Sequence, residues 1–493
     1  YSDTMILDRE ACYRAVKTRD SRFDGRLFVG VHSTGIYCRP ICPARTPKFE
    51  NLSFFTSAAA AQEAGFRPCL RCRPECSPEI GAWRGTSNTV SRALALIGDG
   101  FLDGEADVEA LASRLGVGER QLRRLFQKHL GASPISVAQT RRVHLAKQLI
   151  HDTSMSMVDV ALASGFGSVR RFNDTFRTLY KRPPSELRRR NVRDPEITIT
   201  LSYAPPYDWA AMMEFFGARA IEGVEVVTAE RYMRAIEIDG VQGTVSVAPV
   251  AGKNALAATI AFPNVKALPI IVSRLRRMFD VGADVRAITA HLKKDARLAQ
   301  AIKARPGLRV PGAWDPFELA MRAVLGQQIT VGAARKLAGK LTALCGTPLS
   351  SAMPGLTHTF PSATQVADAD LSAMGMPGAR LRTLTAVAKA ALAERDLFST
   401  AVDLESAVAR LRALPGIGEW TAQYIALRAL HEPDAFPASD VGLLRAMDDH
   451  LGRRATAEEL LTIAQGWRPW RAYAAQHLWT ADAGAPAIRK KAA

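Results

Sequence analysis

The spacing of apolar positions changes along the chain, and each change predicts a different kind of element. Between 108 and 130 the spacing is helical. Val108, Leu111, Ala112 and Leu115 form one stripe, Gly116-Val117-Gly118 turns the chain, and Leu122, Leu125, Phe126 and Leu130 form the next. The plan returns at Val158-Asp159-Val160-Ala161, Gly165-Phe166-Gly167 and then Phe172, Phe176 and Leu179, with a long helix predicted over about 134–151 between the two pairs. A charged run ending in Pro, LRRRNVRDP at 187–195, predicts a linker. The period then drops to two: Ile197, Ile199 and Leu201 alternate with Thr198, Thr200 and Ser202, and runs near 232–238, 243–248 and 254–262 also suit strands. With helices at 207–219 and 265–279, this stretch reads as a small α+β domain. At 411–440 two helical runs are joined by Leu414-Pro415-Gly416-Ile417-Gly418. A hairpin that tight needs Gly where the backbone turns, and its bare amides can approach a phosphate. The second run carries Trp420, Tyr424, Leu427 and Leu430, so one face packs and part of it can line a cleft, over which a Pro-bearing loop returns Asp440.

Length adds room for about three or four domains with their own cores. Charge adds a partner. Lys and Arg outnumber Asp and Glu 65 to 48, a net +17 with pI near 9.8. Such an excess points to a polyanion. With no long apolar run for a membrane span and no signal-like start, nucleic acid comes first, and a merely basic soluble enzyme is the alternative. Six of the seven cysteines fall between Cys12 and Cys76, which argues for a metal site in a reducing cytoplasm rather than a disulfide scaffold. Cys38-x3-Cys42 and Cys69-x2-Cys72, 26 residues apart, offer the two close thiol pairs that a tetrahedral Zn²⁺ takes. Cys12 and Cys76 lack such a partner.

The text around these cysteines, TGIYCRPICPAR and GFRPCLRCRP, resembles the N-terminal domain of the Ada adaptive-response family. The resemblance implies that Zn²⁺ is both clip and activator, and that the thiolate matching Cys38 irreversibly takes a methyl group from a methylphosphotriester in DNA. Methylation makes that sulfur a neutral thioether and removes one negative charge from the cluster, lowering its repulsion of the phosphate backbone. A Zn site that only holds the fold is the competing reading, because four-thiolate sites are usually inert. Arg39, Arg45, Arg67, Arg71 and Arg73 flank the cysteines and either contact phosphates or meet solvent. The paired helices resemble AraC-type regulators through Gly165-Phe166-Gly167-Ser168 to Phe172, with Lys181-Arg182-Pro183-Pro184 departing from the family's Gly. Recognition faces would then carry Glu119, Arg120, Gln121 and Arg124 in one unit and Ser168, Arg170, Arg171 and Asn173 in the other, within reach of major-groove edges. Arg123 equally suits a solvated helix charge.

From Pro205-Pro206-Tyr207-Asp208-Trp209 to Trp479 the chain resembles the AlkA family of 3-methyladenine DNA glycosylases II, within the helix-hairpin-helix superfamily. The residues that carry it are Arg305-Pro306-Gly307-Leu308-Arg309, Phe317-Glu318, Leu325-Gly326-Gln327-Gln328, the LPGIG hairpin with its later Asp, and Trp467-Arg468-Pro469-Trp470. The resemblance implies that a damaged base leaves the duplex. The amides of Gly416 and Gly418 would anchor a phosphate, with a monovalent cation on the carbonyls of Arg412, Leu414 and Gly416. Phe215, Trp420, Tyr424 and Trp479 would receive the base, since electron-rich rings attract a base made cationic by alkylation; core packing is the alternative for any one of them. Asp440 would steady the oxocarbenium-like sugar and orient water. The departures are Gln328, where the family carries an apolar wedge, and Val441, where it carries a further pocket aromatic, which predicts a more open cleft. Trp420 replaces the Schiff-base Lys of bifunctional relatives, so no strand cleavage is expected. No Cys follows Cys345, which excludes the iron–sulfur cluster of some relatives, and the Pro-Cys-His-Arg acceptor of O6-alkylguanine methyltransferases is absent.

The expected architecture is multidomain and mainly α. A small α+β zinc domain at 1–82 precedes an all-α double helix-turn-helix at 88–190, a small α+β antiparallel-sheet domain at 196–305 and an all-α helix-hairpin-helix glycosylase core at 306–486. The expected function is alkylation repair and response: release of 3-methyladenine or 7-methylguanine type bases, methyl transfer to Cys38, and methylation-activated transcription regulation. A regulator whose C-terminal half only senses damaged DNA is the alternative. The expected partner is double-stranded DNA, alkylated or promoter, bound by a monomer in a bacterial cytoplasm with no membrane attachment.

Overall fold

The structure, a computed structural model, describes residues 8–78, 88–104, 106–188, 196–394, 396–399 and 402–484. The chain is multidomain and mainly helical, and it divides into two compact units. One comprises Tyr1–Ala204, Gly243–Arg276 and Val281–Ala283, the other Pro205–Gln242, Arg277–Asp280 and Asp284–Ala493.

The chain opens with α1 (Arg9–Lys17), β1 (Phe28–Val31), β2 (Ile36–Cys38), β3 (Leu52–Phe55), α2 (Ala58–Glu63) and β4 (Arg67–Pro68). The strands form one sheet in the order β3-β1-β2-β4, with β1 antiparallel to both neighbours and β4 parallel to β2. A Cβ on Gly30 would lie 2.8 Å from the rings of Phe55 and Phe66, so the sheet closes over its small core only with Gly there. Strand β2 ends at Cys38, which puts the first predicted metal ligand at the sheet's end.

Six helices follow: α3 (Asn88–Gly98), α4 (Val108–Arg114), α5 (Glu119–Leu130), α6 (Pro134–Asp152), α7 (Met157–Ala163) and α8 (Val169–Tyr180). The predicted stripes are the buried faces: Val108, Leu111, Leu122, Phe126 and Leu130 in the first pair, Val160, Ala161, Phe172 and Phe176 in the second, which Tyr180 rather than Leu179 completes. Both pairs end alike. Gly131 closes α5 at φ +67 and Lys181 closes α8 at φ +58, so Lys181 takes the left-handed position that usually favours Gly. Of the predicted linker, residues 189–195 lie outside the described residues.

Next come β5 (Ile197–Ser202), α9 (Trp209–Arg219), β6 (Glu225–Val227), β7 (Tyr232–Ile238), β8 (Val241–Pro249), β9 (Ala255–Ala261) and α10 (Leu268–Met278). In the first unit β9 pairs antiparallel with β5 and with β8, holding Leu201 opposite Leu256 and Val245 opposite Ile260. Alternate apolar positions therefore share one buried face. In the second unit β6 and β7 pair antiparallel.

The remainder holds α11 (Val285–Leu292), α12 (Ala296–Ala304), α13 (Pro316–Leu325), α14 (Val331–Cys345), a hairpin of β10 (Pro348–Met353) and β11 (Leu356–His358), α15 (Ala363–Asp368), α16 (Gly378–Ala393), α17 (Leu404–Arg412), α18 (Glu419–Arg428), α19 (Val441–Leu451), α20 (Ala457–Ala464) and α21 (Arg471–Gly484). Thr421, Ala422, Ile425 and Ala426 give α18 a buried face of small and branched residues, and it packs on α13 and α17, while α19 packs on α21. Among the described residues no helix is long and apolar enough to cross a membrane.

Candidate active site and metal centre

The predicted hairpin joins α17 to α18. Gly416 has φ +80, and a Cβ there would lie 2.0 Å from Thr383 Oγ1 on α16, so no other residue fits. Gly418 is different: its backbone is extended at φ −86 and nothing lies within 4 Å of its missing Cβ. Its smallness leaves the first amides of α18 uncovered, and both glycines are exposed. From the α13–α14 loop, Gln327 braces the turn, its Nε2 donating to Gly416 O at 2.9 Å and to Thr421 Oγ1 at 3.1 Å. Two of the carbonyls expected to hold a cation therefore already accept a protein N–H, since Leu414 O also accepts from Ile417 N at 3.1 Å. Each keeps a second lone pair. In the same loop as Gln327, Gln328 is exposed in the left-handed conformation at φ +57, beside exposed Ile329.

Asp440 caps the start of α19. Its Oδ1 accepts from Gly442 N at 2.9 Å, Leu443 N at 3.1 Å and Trp479 Nε1 at 2.8 Å, and its Oδ2 accepts from Trp420 Nε1 at 2.8 Å. Four donors from three elements fix the plane of the carboxylate, and Oδ2, with a single donor, is its freer oxygen. Gly442 makes room for this: a Cβ there would lie 3.1 Å from Asp440 Oδ1 and 3.2 Å from Trp479 Cδ1.

Around the acid stand the predicted rings. Trp420 stacks on Tyr424 with centroids 5.3 Å apart and planes at 11°, and Tyr424 meets Trp479 edge-on at 6.4 Å. Phe215, from α9, joins them through Arg428, whose guanidinium carbon lies 4.5 Å from the Phe215 centroid, 5.1 Å from Trp479 and 5.7 Å from Tyr424. All four rings are half-buried, whereas Phe216, Tyr232, Phe279 and Trp467 are fully buried core. The four rings are thus reachable from solvent beside the acid rather than sealed in an interior. Val441, next to Asp440, is 56% exposed.

The rings also pack on two guanidinium groups: Arg428 lies against Phe215, Tyr424 and Trp479, and the Arg219 guanidinium sits 4.0 Å over Phe215. Burial would raise the Tyr424 phenol, but the charges of Arg219 and Arg428 outweigh it and hold the hydroxyl below its usual range. Sequence reasoning passed over both arginines. The signal was spacing: Trp420, Tyr424 and Arg428 stand at i, i+4 and i+8 on one helix face.

In the first unit the sulfurs of Cys38, Cys42, Cys69 and Cys72 lie within 4.8 Å of one another. Four soft donors so gathered fit one Zn²⁺. They are not equivalent. Cys69 and Cys72 are buried and accept backbone N–H bonds from Arg71 and Arg39, each at 3.3 Å, and Cys42 accepts one from Ala44. Cys38 and Cys42 are both half-buried, and Cys38 receives none among the described residues, so no backbone donor draws on its sulfur. Behind the cluster, Lys147 Nζ on α6 donates to Cys69 O and to Glu75 Oε2, both at 2.7 Å and fully buried. The flanking arginines divide. Arg39 is bound to Asp24, Arg73 to Asp152 and Glu75, and Arg67 lies over the Tyr180 ring, while Arg45 and Arg71 are exposed.

On the helix-turn-helix segment Arg120, Gln121 and Arg124 are exposed on the first turns of α5, and Arg170 and Arg171 on the first turn of α8. Arg123 pairs with Glu119 along the helix at 2.9 Å, as a solvated charge does.

Family models match four stretches in series: the metal binding domain of Ada at 11–75, a helix-turn-helix domain at 111–190, the AlkA N-terminal domain at 198–315, and the HhH-GPD superfamily base excision DNA repair protein at 321–472. Over 482 residues, 96% of each chain, this one is 41% identical to a Mycobacterium tuberculosis protein named "Probable bifunctional transcriptional activator/DNA repair enzyme AlkA". Over 294 residues it is 33% identical to DNA-3-methyladenine glycosylase 2 of Escherichia coli, covering 58% of this chain and 98% of that one. The solved 3-methyladenine DNA-glycosylase from Archaeoglobus fulgidus shares the fold, with a TM-score of 0.52 at 23% identity over 58% of this chain and 98% of its own.

Proposed function

We propose that this chain, which belongs to the family of bifunctional transcriptional activator/DNA repair enzymes of the AlkA kind, repairs alkylated DNA by two chemistries at two sites. It is a DNA glycosylase of the 3-methyladenine type, and it carries an Ada-type methyl-acceptor domain. The observation that carries the glycosylase reading is Asp440, held by two indole N–H groups beside the half-buried rings.

In this reading the lesion swings out of the duplex at a cost of a few kcal/mol. The amides at Gly416 and Gly418 hold a phosphate, a monovalent cation shares the hairpin carbonyls, and exposed Gln328 fills the vacated stack. The C1′–N bond breaks with its electron pair leaving on the base, so an alkylated cation departs neutral. Asp440 Oδ2 steadies the positive charge on the sugar and takes a proton from the water whose oxygen bonds to C1′. Trp420 has no amine to form a Schiff base, so the strand stays intact.

At the other site Cys38 is the acceptor. Its thiolate attacks the methyl carbon of a phosphotriester, the S–C bond forms, the C–O bond breaks, and the phosphodiester leaves as an anion. Cys38, Cys42, Cys69 and Cys72 would hold Zn²⁺, which when bound keeps the thiols deprotonated at neutral pH. The cluster loses one negative charge, and Arg120, Gln121, Arg124, Arg170 and Arg171 then bind promoter DNA more tightly. The matched family stretches support the four-part division at 1–82, 88–190, 196–305 and 306–486, and a thiolate nucleophile suits a reducing cytoplasm.

Duplex DNA carrying 7-methylguanine or 3-methyladenine, incubated with the full chain, should yield free base and a strand that breaks only after alkali. Absence of released base removes the glycosylase reading. Mass spectrometry after exposure to methylphosphotriester DNA should find one methyl on Cys38; an unmodified Cys38 would leave the metal centre as a docking element only.

A further inference from the structure

The first unit brings three of the matched segments together, and they meet at β5. Among the described residues this strand pairs with β9 alone, which makes it an edge. An edge strand presents backbone N–H and C=O groups that must be paired, covered or wetted. Yet no residue from Ile197 to Ser202 is exposed. What covers the strand comes from before the linker. Gln148 on α6 is 3% exposed, and its Nε2 donates to Thr200 O at 2.8 Å, as the amide of a neighbouring strand would. The turn at Pro74–Cys76, just after the cysteine cluster, packs on the same strand.

Two further contacts extend this seam. Helix α7 packs on the turn at Val265–Ala267, where Ala267 is buried, and Gly98 at the end of α3 lies so near α10 that a Cβ on it would stand 3.4 Å from Ser273 Oγ. The burial of α6 gives the same picture. Leu145 to His151 are buried without a break, about two full turns, so every face of that part of the helix is covered. A helix of a domain held only by a tether would keep one face in solvent. Here neighbouring residues serve different segments: Lys147 reaches Cys69 O and Glu75 beside the cysteines, and Gln148 reaches β5. We propose that β5 is a docking edge for α6, and that the metal-binding and helix-turn-helix segments are held to the strands after the linker by a non-covalent interface with Gln148 as its polar anchor. The linker is then not what keeps them together, and DNA gripped by α5 and α8 is gripped by the body that carries β5. The inference is independent of both chemistries proposed above.

The test starts from the full chain with a protease site introduced within 189–195. Cutting after purification leaves the two parts joined by the interface alone. They should elute together from a sizing column at micromolar concentration, and parts that separate there would overturn the proposal. Gln148→Glu sets a carboxylate against the Thr200 carbonyl and should raise the dissociation constant of the cut parts, followed by dilution, at least about tenfold. Should that variant fail to fold before cutting, Gln148→Met, which removes the donor without adding charge, should weaken the pair about fivefold. Equal dissociation constants for wild type and variant would remove Gln148 as the anchor and overturn the proposal in that form. Neither readout uses base release or methyl uptake, so a chain lacking either activity still decides the question.

Discussion

Two glycines in one turn do different work. Gly416 is bound by both conformation and space, at φ +80 with Thr383 2.0 Å from where a Cβ would stand. Gly416→Ala should therefore destabilise the second unit by at least about 1–3 kcal/mol, seen as a lower thermal midpoint. Gly418→Ala, in extended backbone facing open space, should leave that midpoint nearly unchanged and weaken DNA binding instead, by crowding the amides. An equal loss of stability in both would contradict this division. At this scale the sequence was legible wherever a residue type itself carries chemistry. Asp440, the four cysteines and the rings could be named because few roles suit them. Orientation was not legible: that both indoles donate to Asp440, or that Cys38 alone of the four sulfurs lacks a backbone donor among the described residues, depends on backbone directions that spacing does not encode. Arg428 was missed because a charge near a helix C-terminus ordinarily meets solvent.

Among the elements, α6 has the widest reach in the first unit. His144 bonds the Tyr37 hydroxyl at 2.7 Å, Gln148 donates to Thr200 O at 2.8 Å on β5, and Lys147 reaches the carbonyl of Cys69 and the carboxylate of Glu75. The helix that connects the two helix-turn-helix pairs thus also props the metal centre. Lys147→Met breaks a fully buried ion pair and should cost about 3 kcal/mol, the low end for such pairs, because Arg73 still bonds Glu75. Lys147→Met with Glu75→Leu should recover part of it. Amide exchange of the full chain, followed along α6 and the residues after β4, would report both, and unchanged protection in the single variant would disprove the prop. The expected long helix over about 134–151 matches α6 to within a residue at either end. Lys147 is of a type that ordinarily meets solvent, and it is buried with Val143, Ala146, Leu149 and Ile150. The β10–β11 hairpin escaped prediction because Pro348–Met353 does not alternate apolar with polar.

For the whole molecule, the net charge of +17 identifies the kind of partner, and two separate sites give it two chemistries on that partner. The order of family resemblances along the chain was fully legible, since each rests on its own local motif. Because Cys38 and Asp440 fall in different compact units, methyl uptake on Cys38 reports the first unit and an unchanged thermal midpoint of the second reports that Asp440→Asn still folds. Asp440→Asn sets an amide N–H against one of two indole N–H donors, while the caps on Oδ1 can persist. The decisive measurement is single-turnover release of 7-methylguanine by wild type and Asp440→Asn, with methyl uptake on Cys38 followed in the same samples. The prediction is release slowed at least about 100-fold with Cys38 methylation at the wild-type level; release at the wild-type rate by Asp440→Asn would contradict the central role given to that carboxylate.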